Sequence, residues 1–145
     1  MKNSLLILIV CAAMFACKSG DQKTTAETAT GTEKVAAQAG DTTSLQWLDS
    51  IPLNLGEVNE GEIVEVVFNF RNTGNKPLVI SDVRPGCGCT DAVKPEGAIA
   101  AGEEGKIKAK FNSKGYKGRM ASKNISVTAN TKPGYYDLGF NVNVR

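Results

Sequence analysis

Tyr136-Asp137-Leu138-Gly139-Phe140-Asn141-Val142-Asn143-Val144 alternates apolar and polar side chains without a break. A period of two places Tyr136, Leu138, Phe140, Val142 and Val144 on one face of an extended chain. Asp137, Gly139, Asn141 and Asn143 fall on the other, so the segment reads as a strand with one dry and one wet face. The same pattern recurs upstream. Val64, Val66, Phe68 and Phe70 oppose Glu65, Asn69 and Arg71, with Val67 as the exception. Ile107, Ala109 and Phe111 oppose Lys106, Lys108 and Lys110, and Ile125, Val127 and Ala129 oppose Asn124, Ser126 and Thr128.

Turn residues separate these runs. Asn72-Thr73-Gly74-Asn75-Lys76-Pro77 ends one and Lys132-Pro133-Gly134 precedes another, both rich in residues that favour reversal of the chain. Pro95 to Gly105 lacks alternation and reads as a loop crossing between sheets. Strands are expected at 51–55, 62–72, 77–83, 105–112, 121–130 and 135–144, with a short seventh near 91–94 or 98–100. Pro52 suits an edge strand, where a missing donor is tolerated. No stretch sustains a helical period. The expected fold is all-β, an immunoglobulin-like antiparallel β-sandwich of about seven strands. Trp47 precedes the first expected strand and so is not a central core tryptophan. The three lysines at 106, 108 and 110 read as a solvated strand face, and on an exposed edge they would also discourage aggregation.

Composition excludes more than it selects. The 145 residues leave room for one ordinary domain with appendages. The formal net charge is +2, or +1 once Lys2 is removed with the leader, which argues against a nucleic-acid partner. The chain contains no histidine, the commonest acid-base group near neutral pH and the commonest metal ligand. A Ser-His or Cys-His nucleophile is thereby excluded. The expectation is a protein that is not an enzyme and carries no cofactor.

Residues 1–16 carry one early positive charge, Lys2, then an apolar run from Leu5 to Ala16. The run falls short of the ~20 residues that span a bilayer and reads as a signal peptide. Its end, Met14-Phe15-Ala16-Cys17, resembles the lipobox of bacterial lipoproteins, in which the cysteine is acylated, with palmitate for example, and becomes residue one. Ala16 and Cys17 match that pattern, while Met14 and Phe15 stand where leucine and a small residue are usual. Cys17 is the expected lipidation site, its acyl chains each burying about 0.8 kcal/mol per CH₂ in membrane lipid. Lys18 follows instead of the aspartate of inner-membrane retention, so the outer membrane of a bacterial cell envelope is preferred. Residues 17–44 are the lipidated cysteine and a polar linker with Val35 as its one sizeable apolar residue, expected to be disordered. Its typical reach is about 30 Å. The folded domain is expected at 45–145.

Phe68-Asn69-Phe70-Arg71-Asn72-Thr73-Gly74, Pro77-Leu78-Val79-Ile80, Cys87-Gly88-Cys89-Thr90, Gly102, Gly105-Lys106-Ile107, Phe111 and Ile125-Ser126-Val127-Thr128-Ala129-Asn130 occur in that order. This succession resembles the DUF1573 family of bacterial extracytoplasmic proteins over roughly residues 50–145. The resemblance implies an immunoglobulin-like domain akin to the ASH and MSP modules, often on a lipoprotein. It implies no catalytic activity.

Cys87 and Cys89 are the two cysteines expected to remain unmodified by lipid, framed by Arg84, Pro85, Gly86, Gly88 and Thr90. Gly88 allows the thiols to meet, and an oxidising compartment favours a disulfide. Three readings stay open: a local staple, a redox pair working against partner thiols, and Cu(I) capture by soft thiolates. Zinc would need further ligands, and no metal is the leading expectation. Arg84 would depress a thiol pKa if it folded back over the loop. The leading function is a non-enzymatic interaction module displaying loops or a sheet edge to a protein or glycan partner. The alternative is a thiol redox or Cu(I)-handling lipoprotein.

Overall fold

The structure is a computed structural model and describes residues 42–145. The leader, the expected lipidation site Cys17 and the linker through residue 41 lie outside the described residues. The described chain forms β1 (Leu45–Trp47), β2 (Leu53–Val58), β3 (Ile63–Asn72), β4 (Ile80–Pro85), β5 (Thr90–Val93), β6 (Glu104–Asn112), β7 (Arg119–Ala129) and β8 (Tyr135–Val144). One sheet has the order β1-β3-β6-β5 and the other β2-β8-β7-β4.

The alternating runs become the paired central strands. Val66, Phe68 and Phe70 of β3 and Ile107, Ala109 and Phe111 of β6 point inward from one sheet. Ile125, Val127 and Ala129 of β7 and Leu138, Phe140, Val142 and Val144 of β8 meet them from the other. Phe111 and Phe140 touch edge to face across the interface, with ring centroids 5.8 Å apart, a geometry aromatic pairs prefer. Gly105 is needed because a Cβ there would lie 2.4 Å from Cζ of Phe70.

Three expectations change in detail. Trp47 lies inside a strand: Gln46 faces out while Leu45 and Trp47 pack against the core, and the indole meets the rings of Phe70 and Tyr136, each at 5.6 Å. Three residues were too few for alternation to register. β2 runs parallel to β8, pairing Leu53 with Phe140 and Val58 with Val144, so that sheet is mixed. Side-chain periodicity encodes which face is dry and says nothing of strand direction. Finally, β6 lies between β3 and β5, so its lysines guard no edge. Lys110 instead stands between Glu65 and Asp91 on neighbouring strands. The short seventh strand is β5, while Ile99 forms a single bridge with Leu78.

Asn72 locks one end of the sandwich. Its side chain is fully buried; Nδ2 donates to the carbonyls of Lys76 (2.7 Å) and Ile99 (3.0 Å), and Oδ1 accepts from the Thr43 hydroxyl (2.9 Å) and the Gly74 amide (3.1 Å). One amide thus joins the end of β3, the following turn, the sheet-crossing loop and the entry to β1. Asn130 clamps the adjoining segment, donating to Pro77 O at 2.9 Å and accepting from Val79 N at 2.7 Å. Asn72→Ala removes four hydrogen bonds, those to the Thr43 hydroxyl and the Ile99 carbonyl in buried surroundings, each loss costing about 1 kcal/mol. Urea unfolding is expected to show a loss of about 3 kcal/mol for Asn72→Ala, against almost none for the exposed Asn75→Ala.

Candidate functional site

β4 is the outer strand of one sheet and β5 the outer strand of the other. The chain therefore changes sheets between Pro85 and Thr90, and the residues that do so are Gly86, Cys87, Gly88 and Cys89. Facing sheets stand about 10 Å apart, so the crossing must be both short and directed. Three backbone hydrogen bonds direct it. Gly86 N donates to Asn124 O of β7 at 3.0 Å, Asn112 N of β6 donates to Cys89 O at 2.9 Å, and Thr90 N closes a turn onto Cys87 O at 3.3 Å. Gly86 lies so close to β7 that a Cβ would come within 2.3 Å of Asn124 Oδ1.

Cys87 and Cys89 are joined in a disulfide, their Cα atoms 5.3 Å apart. The two sulfurs have different surroundings. Cys89 packs against the hydrophobic core, its sulfur accepting from Tyr116 OH at 3.7 Å and lying 3.9 Å from Thr90 Oγ1. Thr90 is itself buried, with its hydroxyl 3.7 Å from the Cys87 sulfur. Cys87 sits between Gly86 and Gly88, both exposed, and a Cβ at Gly88 would touch nothing within 4 Å.

Arg84 does not fold over the loop. Its guanidinium pairs with Asp82 at 2.5 Å and is 80% exposed, because alternation in β4 turns Arg84 away from the core. The cations that flank Tyr116 come from β7. Lys123 Nζ and Arg119 Cζ lie 4.7 and 5.4 Å from the centroid of the Tyr116 ring, which also leans on Phe111 at 5.4 Å. Pro85 ends β4 opposite Ile125. Among the described residues, no three of His, Cys, Asp and Glu cluster as metal ligands would.

Tyr116, Lys123, Asn112 and Asn124 escape a reading of the sequence. Their partners are brought together by the β6–β7 turn and the lateral pairing of β7. The one visible hint is a lone aromatic between glycines in Gly115-Tyr116-Lys117-Gly118.

A family described as protein of unknown function (DUF1573) matches over residues 48–144. The chain belongs to it. No curated protein matches in sequence. Among solved structures, a protein of unknown function from Porphyromonas gingivalis W83 is similar with a TM-score of 0.61 and 19% identity, covering 74% of this chain and 50% of that one. PapD-like domain 7 of human CEP192, an ASH/PapD-like domain, is similar with a TM-score of 0.50 and 11% identity, covering 77% of this chain and 95% of its own. The secreted serine protease VesC from Vibrio cholerae gives a TM-score of 0.51 at 16% identity, over 70% of this chain and 23% of that one. The chain thus spans half the length of the Porphyromonas protein and under a quarter of the Vibrio one. These likenesses show an immunoglobulin-like fold for this DUF1573 domain.

Closing so small a ring restricts the unfolded chain only modestly, and the loop-entropy relation gives about 1.5 kcal/mol. Replacing both cysteines, Cys87→Ser with Cys89→Ser, is expected to lower the unfolding free energy by that amount, seen as a lower urea midpoint with an unchanged slope. A variant that is unfolded without denaturant would contradict the picture of a core formed independently of the bridge.

Proposed function

We propose that this chain is a lipid-anchored lipoprotein of the bacterial cell envelope whose immunoglobulin-like domain binds a protein partner and performs no catalysis. Cys17 would carry the acyl chains, and the linker would hold the domain about 30 Å from an outer-membrane surface. The support for anchoring is the leader and the Ala16-Cys17 pair.

The observation that carries the binding role is the character of the β5 edge. β5 is a four-residue outer strand, and Val93 on it is 65% exposed. Val93 shares a cross-strand row with Lys108 and Val67, so an apolar spot lies along the lysine stem. Glu65, Asp91 and Lys110 form the adjacent row with both signs of charge. An apolar centre with a charged rim is the make-up of a protein contact, and an outer strand offers its backbone for pairing.

A photo-reactive residue at position 93 is expected to crosslink one discrete envelope protein in intact cells, and the same probe at Lys132, on an exposed turn elsewhere, is not. Equal crosslinking from both positions would refute the edge as the docking surface. Intact mass of the mature protein tests the anchor separately: it should begin at Cys17 and carry added acyl mass. A polypeptide still starting at Met1 would refute it.

A further inference from the structure

The two sulfurs of the bridge are chemically unequal, and that inequality is more than a local staple requires. A disulfide sulfur is a weak hydrogen-bond acceptor, whereas a thiolate gains from every donor aimed at it. Cys89 alone receives the phenolic hydroxyl of Tyr116, whereas the Thr90 hydroxyl lies near both sulfurs, 3.7 Å from Cys87 and 3.9 Å from Cys89, and does not tell them apart. Lys123 and Arg119 both sit over the Tyr116 ring, and positive charge against the ring makes its hydroxyl a better donor. Cys89 is also the sulfur set against the core. Cys87 has exposed glycines on either side, and the space over Gly88 is open.

We propose that the Cys87–Cys89 bridge is a thiol-exchange site of fixed polarity, with Cys87 the sulfur attacked and Cys89 the sulfur that leaves. Its substrate class is a dithiol presented at the surface. A thiolate of the donor attacks Cys87 Sγ, forming a mixed disulfide as the Cys87–Cys89 bond breaks and its electron pair leaves on Cys89. The Tyr116 hydroxyl stabilises that developing charge, and a leaving thiolate so stabilised departs faster. The donor's second thiolate then attacks the donor sulfur of the mixed disulfide, releasing Cys87 as a thiolate. The donor ends as a disulfide, two electrons have passed to the bridge, and the donor's two protons end on Cys87 and Cys89. No metal or histidine takes part. The proposal stands independently of the docking and anchoring readings.

The full-length mature protein is treated with glutathione as a monothiol probe, quenched by acid, and mapped by mass spectrometry. The adduct is expected on Cys87 at least tenfold more often than on Cys89. Reduction by dithiothreitol is expected to slow about tenfold in Tyr116→Phe. That variant keeps the ring against Phe111, so its melting temperature should match that of the unaltered protein. The thiol of Cys89 in the Cys87→Ser variant should ionise at lower pH than that of Cys87 in the Cys89→Ser variant. Adducts shared equally or favouring Cys89, an unchanged rate in Tyr116→Phe, or the reverse order of ionisation would each overturn the polarity. A bridge that resists dithiothreitol until the domain unfolds would overturn the exchange site altogether.

Discussion

The chain has four residues, Gly86 to Cys89, in which to leave the edge of one sheet and join the edge of the other. Much of the site follows from that constraint. A crossing this short needs a backbone free to turn, a close approach to β7 at Gly86 and a fixed exit into β5. The bridge between Cys87 and Cys89 holds the turn, and the bonds from Asn112 and to Asn124 fasten it to both sheets. The opposite end has no such bridge, and there Asn72 and Asn130 supply the fastening with side-chain amides. The sandwich is thus closed at its two ends by different chemistry, one end by hydrogen-bonded asparagine amides, the other by a covalent bridge.

The four central strands were legible in the sequence because burial on one face forces a period of two. β3, β6, β7 and β8 each differ from expectation by two residues or fewer at either end. The outer strands were harder to read. β1 is three residues long, β4 begins three residues late because Leu78 makes only a single bridge, and β2 pairs parallel where an antiparallel neighbour was expected. Short edge strands bury fewer side chains, so pattern carries less of their position. The same distinction applies to the site. Cys87, Cys89 and the glycines were visible because they are contiguous, whereas Tyr116 reaches the Cys89 sulfur, and Lys123 the Tyr116 ring, only through folding. Arg84, adjacent in sequence, was turned away by strand alternation toward Asp82.

Membership of the DUF1573 family and likeness to an ASH/PapD-like domain agree on architecture. Chemistry on such a scaffold belongs to particular loops and edges. Here the bridge lies at the loop that delivers β5 to its sheet, and β5 bears the exposed Val93. The bridge therefore sits directly before the strand that carries Val93.

Residue-level amide hydrogen exchange of the bridged domain and of the variant carrying both Cys87→Ser and Cys89→Ser tests this arrangement most directly, since exchange reports local opening. The account predicts faster exchange at Gly86, Thr90 and Asn112 and along β5 when the bridge is absent, with β3, β7 and β8 retaining their protection. Unchanged exchange at Gly86 and Asn112, or a uniform loss across all strands, would contradict it.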